Sequence, residues 1–209
     1  MREDSICIHE EKYDEKIKVM LIGDANVGKT SIIKRFCKNI FTPSFLSTYG
    51  LDFETKYLKI NNKTINLQIW DTAGEERYRV IAKNYFNKSD GFVVVYDITN
   101  KNSFENVTNW LEQIQENASE HAQSILLGNK CDLEGKRIIK KEEGMELAKI
   151  HNINFYETSA EKGKNIDQAF NDLVKVILES GVISRSESEL SSTLVNNSVN
   201  DRNQRKKCC

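Results

Sequence analysis

Residues 23–30 read G-D-A-N-V-G-K-T, the spacing G-x-x-x-x-G-K-[ST]. Small residues let such a loop close around an anion, its backbone N–H groups point inward, and the helix that follows adds the positive end of its dipole. The chemistry is phosphate binding. Ala25, Asn26, Val27, Gly28 and Ser31 supply the lining, Lys29 reaches the β/γ-oxygens where charge develops, and the Thr30 hydroxyl is placed to ligate Mg²⁺. Residues 70–74 read W-D-T-A-G. An acid there can hold Mg²⁺ through water while the Gly74 N–H faces a γ-phosphate, although Asp71 alone reads equally as a strand-end cap. Residues 129–132, N-K-C-D, offer Asn129, Lys130 and the Asp132 carboxylate. A carboxylate accepts two hydrogen bonds from guanine N1–H and N2–H₂, a donor pair that adenine lacks.

These residues need rigid elements to hold them. Residues 16–22 form a short β-type run that stops at Gly23, and residues 29–38 carry Ile32, Ile33 and Phe36 at helical spacing. Residues 51–60 and 64–70 alternate as two strands of a hairpin joined by Asn61, Asn62 and Lys63. Residues 91–97 and 124–128 are continuous apolar strands of the kind buried on both faces, and 154–158 is a sixth strand. Residues 166–178 keep helical spacing through Ile166, Ala169, Phe170, Leu173 and Ile177. The order β-α-β-β-α-β-α-β-α-β-α predicts an α/β P-loop NTPase: a six-stranded, mostly parallel sheet with one antiparallel edge strand and helices on both faces. Ligands then belong at the carboxyl ends of the strands.

The chain's 209 residues fit one domain with an appendage. At 39% hydrophobic and 29% charged it can bury a core, which excludes a disordered chain. Its net charge of -1 gives no global field for nucleic acid or an anionic membrane, so such contact must be local. The five cysteines match neither a zinc pattern nor a secreted disulfide framework, which points to a reducing compartment. No apolar run approaches the ~20 residues that cross a bilayer, and the charged N-terminus is no signal peptide, so the expected setting is cytosolic. After Ser180 the composition turns to Ser, Asn and Glu and ends in Arg205, Lys206, Lys207, Cys208 and Cys209, a flexible tail. The expected division is an N-terminal extension over 1–15, a catalytic domain over 16–179 and the tail over 180–209.

Together these motifs resemble the Ras-like small GTPases over residues 16 to about 179. Residues 67–74 (L-Q-I-W-D-T-A-G), 76–79 (E-R-Y-R), 95–99 (V-Y-D-I-T), 128–132 and 157–160 (E-T-S-A) are most similar to the Rab branch, and residues 141–160 to its exocytic group. The resemblance implies GTP/GDP and Mg²⁺ as ligands. It makes Ser47 and Thr48 the first switch, with Thr48 a Mg²⁺ ligand in the GTP state; Phe41 the aromatic packed on guanine; and Ser159, Ala160 and Glu161 the segment closing over the base. It also turns Phe53, Trp70 and Tyr85, by themselves core or hairpin aromatics, into a triad that effectors read. A terminal Cys208-Cys209 is similar to the Rab pattern of double geranylgeranylation; two lipid chains anchor stably where one does not, and the three basic residues add roughly 1 kcal/mol each near anionic lipid.

The implied life of the protein is that of a vesicle-trafficking switch on the cytoplasmic face of a secretory-pathway or plasma membrane, exchanging with the cytosol. Its implied partners are an exchange factor, a GTPase-activating protein, a GDP-dissociation inhibitor, the prenylation escort machinery and effectors, with no nucleic acid. One departure bears on turnover. Where relatives carry the glutamine that orients the attacking water, this chain has Glu75. A carboxylate adds charge beside an anionic phosphate and donates no hydrogen bond, so slow intrinsic hydrolysis is expected. A protonated Glu75 would partly replace the amide. Asn26, at a loop position often held by glycine, is expected to tolerate unusual backbone angles. Two rivals follow: a GTP-bound recruitment module with negligible hydrolysis, and a metabolic P-loop kinase, which has no use for Asp132 or the terminal cysteines.

Overall fold

Alternation along each strand assigns its side chains to one of two helical layers. A computed structural model describes residues 12–43, 51–72 and 85–181. Strand β1 (Glu15–Ile22) is followed by α1 (Lys29–Lys38), the hairpin strands β2 (Leu51–Ile60) and β3 (Lys63–Thr72), and β4 (Gly91–Asp97). Then come α2 (Lys101–Glu105), α3 (Val107–Asn117), β5 (Gln123–Asn129), α4 (Lys141–Ile150), β6 (Asn154–Glu157) and α5 (Ile166–Glu179). The sheet runs β2-β3-β1-β4-β5-β6. Only the edge strand β2 is antiparallel to its neighbour, with Phe53 opposite Trp70. The expected fold is therefore present. Of the helix expected between the hairpin and β4, residues 85 and 86 are helical, and residues 73–84 lie outside the described residues.

Val19, Leu21, Val93, Val95, Ile125 and Leu127 face a core closed by Ile32, Ile33 and Phe36 of α1 and Ala169, Phe170, Leu173 and Ile177 of α5. Phe36 stacks on Phe170 with centroids 4.2 Å apart. Met20, Ile22, Phe92, Val94, Tyr96 and Leu126 point the other way, onto Val107, Trp110, Leu111 and Ile114 of α3 and Ala148 of α4. Each such side chain contributes about 2 kcal/mol by leaving water, and the two layers together hold the central strands from both faces.

Two details refine the sequence reading. The hairpin turn is only Asn61-Asn62, both at positive φ (51° and 64°), so Lys63 already belongs to β3. Two-residue hairpin loops demand left-handed residues, and asparagine accepts that conformation. After β4 the helical stretch is split at Asn106, which ends α2 and begins α3. Among the described residues no helix is long and apolar enough to cross a membrane.

Candidate functional site: a phosphate loop and a base-reading edge

The loop between β1 and α1 is built on backbone that side chains resist. Gly23 (φ 140°) passes so close to β4 that a Cβ would lie 2.2 Å from the Val95 carbonyl oxygen. Asn26 holds φ 64°, as its tolerance of left-handed backbone leads one to expect. Gly28, at φ 100°, caps α1 without a side-chain hydrogen bond, and a Cβ there would meet Asn129 Nδ2 at 2.4 Å. α1 has no acidic residue in its first turn, while Arg35 and Lys38 occupy its last. Its N-terminal N–H groups and dipole are thus not offset by a carboxylate of the helix itself, which suits an anion. Gly28→Ala is expected to cost about 2 kcal/mol of strain and displacement, read as a fall of roughly 5 °C in Tm with weakened nucleotide binding.

Lys29 is 5% exposed. Two of its three donors go to the carbonyls of Gly23 (2.8 Å) and Asp24 (2.7 Å), which bends the side chain back over the loop. Burial pushes the ammonium down to about 8, against the Asp71 and Asp24 carboxylates, which raise it. Behind the loop the Thr30 hydroxyl donates to Asp71 Oδ2 at 2.6 Å, and Thr72 Oγ1 donates to the Leu21 carbonyl, tying the end of β3 to β1. Thr30 and Asp71 are hard oxygen donors brought together at the strand ends, the ligand chemistry that Mg²⁺ takes.

The residues expected to read the base converge from the ends of β5 and β6. Asn129, buried, donates from Nδ2 to the Val27 carbonyl (2.8 Å) and accepts from Thr158 Oγ1. Lys130, at φ 66°, donates to the Asn26 carbonyl at 2.8 Å and pairs with Asp97 Oδ2 at 2.6 Å. Both residues of the base-side motif therefore brace the phosphate loop directly. Asp132 accepts from the buried Ser159 hydroxyl at 2.5 Å, and Ser159 also receives the Lys162 N–H. Ala160 is buried and Glu161 exposed beside it. Phe41, half-buried just past α1, packs against the core on the α1–α5 side. Ser31 lies on the first turn of α1, and Ala25 is exposed on the loop. Ser47, Thr48, Gly74, Glu75, Cys208 and Cys209 lie outside the described residues.

Away from the loop, the three aromatics form a row. Phe53 and Trp70 have centroids 4.9 Å apart, and Trp70 and Tyr85 5.1 Å. Phe53 is 45% exposed, whereas Trp70 and Tyr85 are half-buried and reach the α3–α4 core. Tilted aromatic pairs at this spacing hold one another beyond their burial. The row thus serves as part of the core at one end and as open surface at the other.

Sequence reasoning missed several supports. The Asp24 carboxylate, at a variable position of the loop motif, accepts from Asn106 Nδ2 (2.7 Å) and Trp110 Nε1 (2.9 Å), latching the phosphate loop to the start of α3. Trp110 reads as a core position, and only its indole N–H, which needs a partner when buried, hints at more. Asp97, Thr158 and Arg35 were given no role, because each acts across more than twenty residues of sequence on a motif residue to which neither spacing nor residue type ties it.

Comparison with known proteins agrees with this geometry. The model of the Ras family matches residues 18–179. Ras-related protein Rab-13 of Canis lupus familiaris is 46% identical over 170 residues, 81% of this chain and 84% of its own. Rab-13 of Rattus norvegicus is 44% identical over 198 residues, 94% and 97% of the two chains. Ras-related protein Rab-10 of Diplobatis ommata is 47% identical over 167 residues, 80% and 84%. With the phosphate loop, the strand-end acids and this extent of likeness in hand, the chain belongs to the Rab family of exocytic-type small GTPases, which bind guanine nucleotide, hydrolyse GTP and work in vesicle trafficking.

Proposed function

We propose that this protein is a membrane-associated switch in which residues 23–30 hold the phosphates of GTP or GDP and Asp132 reads the guanine edge. The observation that carries the reading is the bracing of the phosphate loop by the base-side motif: Asn129 and Lys130 donate to the carbonyls of Val27 and Asn26. One rigid frame then sets the distance from phosphate to base, so a nucleotide of the right length satisfies both ends at once.

Thr30, Asp71 and, in the GTP state, Thr48 would hold Mg²⁺, which when bound offsets charge on the β- and γ-oxygens. Lys29, already turned over the loop, sets its charge against the same oxygens. The Gly74 N–H would face the γ-phosphate, and Glu75 holds the sequence position at which relatives carry the glutamine that orients the attacking water. Phe41, Ser159, Ala160 and Glu161 enclose the base. Ordering of the switch segments around the γ-phosphate presents Phe53, Trp70 and Tyr85 to effectors, and loss of that phosphate releases them. Its further partners are an exchange factor, an activating protein, a dissociation inhibitor and the prenylation escort machinery. Geranylgeranyl groups on Cys208 and Cys209 hold the protein on the cytoplasmic face of a secretory-pathway or plasma membrane. Hydrolysis is intrinsically slow because of Glu75.

The test is turnover of GTP against ATP at equal concentration, with and without EDTA. The expected result is phosphate release from GTP alone, lost when divalent cation is chelated. Equal turnover of ATP would remove Asp132 from the base-reading role.

A further inference from the structure

Arg35 lies on the last turn of α1, six residues beyond Lys29, and no motif names it. Its guanidinium spends four hydrogen bonds on three residues. Nε donates to the Ala160 carbonyl at 2.8 Å and Nη2 to the Glu161 carbonyl at 2.7 Å. Nη1 donates to the Asn39 carbonyl (3.1 Å) and to Asn39 Oδ1 (3.0 Å). Asn39 itself caps α1 at φ 54°, so the fork is clamped from behind by the end of its own helix. A planar guanidinium can serve acceptors on both sides at fixed angles, which an ammonium on a flexible stem cannot.

The two carbonyls belong to consecutive peptides of the segment beside the base. The peptide whose oxygen accepts from Nη2 carries the Lys162 N–H at its other end, and that N–H donates to Ser159 Oγ at 3.0 Å. Ser159 Oγ in turn donates to Asp132 Oδ1 at 2.5 Å. The result is a directed chain of donors: guanidinium to carbonyl, N–H to hydroxyl, hydroxyl to carboxylate. Each bond polarises the next, and each fixes the orientation of its acceptor. Ser159 is fully buried and its backbone is pinned by paired bonds with Lys164, so the chain has little room to swing.

We propose that Arg35 is a positioning residue for guanine specificity, orienting Asp132 through the Glu161–Lys162 peptide and Ser159. This rests on the reading of Asp132 as the base acceptor. Through it α1 becomes a strut: its first turn meets the phosphates, and its last turn sets the carboxylate that meets the base. The ligand class is the purine nucleotide with an exocyclic 2-amino group, because only that group demands the second carboxylate oxygen in a fixed direction.

The experiment compares GDP with IDP, which lacks the 2-amino group, on the full chain carrying Arg35→Met, Arg35→Lys, Ser159→Ala, Asp132→Asn, and the pair Arg35→Met/Ser159→Ala. Dissociation rates of each nucleotide and Tm are measured together. For Arg35→Met, the GDP dissociation rate is expected to rise about fivefold and the IDP rate by less than twofold, so the preference for GDP shrinks; Arg35→Lys does not restore it. In the Ser159→Ala background, Arg35→Met is expected to change the preference no further. Equal loss of GDP and IDP, or an effect that survives unchanged in the Ser159→Ala background, would overturn the proposal and leave Arg35 as a structural tie. Should Arg35→Met prove unstable, Arg35→Lys carries the same comparison. Asp132→Asn separates the two readings: if it leaves the GDP preference intact, the assignment of Asp132 fails, not merely its link to Arg35.

Discussion

Asp132→Asn is expected to weaken GDP binding by about 100-fold while improving binding of XDP. A hydrogen bond to an ionised group is worth about 1.5–3 kcal/mol, and exchanging one carboxylate oxygen for an NH₂ turns an attraction to the guanine 2-amino group into a donor facing a donor. The sum approaches 3 kcal/mol, or two decades of affinity at 1.4 kcal/mol each. Xanthine places a carbonyl at the same position, so the new NH₂ finds an acceptor. The variant keeps an oxygen for the Ser159 hydroxyl that Asp132 now accepts at 2.5 Å, so the fold survives. Competition binding with GDP and XDP measures both arms. Unchanged GDP affinity would place the base elsewhere.

Glu75→Gln is expected to speed single-turnover GTP hydrolysis tenfold or more, about 1.4 kcal/mol of barrier. The carboxylate brings a negative charge toward a phosphate that already carries several, and its oxygens accept but do not donate; the amide is neutral and donates. Hydrolysis on preloaded protein, with and without an active Rab-activating domain, is the measurement. A rate rescued by the activating domain in the natural chain keeps the protein among cycling switches, since many such domains are similar in supplying both an arginine and a glutamine in trans. Failure of rescue favours a recruitment module that stays in its GTP form. If the two chains hydrolyse alike, the electrostatic argument is wrong.

The strands are legible because their patterns are of two kinds, alternating in the hairpin and continuously apolar at the centre of the sheet. Residues 91–97 were read as a strand buried on both faces, and every residue of β4 is buried. α1 matches its expected bounds because a glycine precedes it and apolar residues recur at helical spacing within it. The motifs placed Lys29 and Thr30 at a helix start, Asp71 near the end of β3, and Asn129, Lys130 and Asp132 at and just after the end of β5, and these elements have those bounds. Motifs did not reveal what holds those residues. Asp24 with Trp110 and Arg35 with Glu161 are separated by 86 and 126 positions; the first pair joins two side chains that no motif couples, and the second ends on a backbone carbonyl, which leaves no mark on the identity of the accepting residue. The break at Asn106 was hidden for a similar reason: its side chain is committed to Asp24, a tertiary partner, and the preference of asparagine for helix starts is by itself too weak a signal to place it.

The chain holds two tryptophans, and the fold has put them to different uses. The indole of Trp110 is hydrogen-bonded to the phosphate loop through Asp24, while Trp70 sits mid-row between Phe53 and Tyr85. Indole emission responds to its hydrogen bond and to the rings around it. Unlabelled protein therefore carries two optical channels, one tied to the phosphate loop and one to the aromatic row. Trp70→Phe isolates the first and Trp110→Phe the second, so the order in which the loop and the aromatic row respond to a nucleotide can be timed in a single mixing experiment.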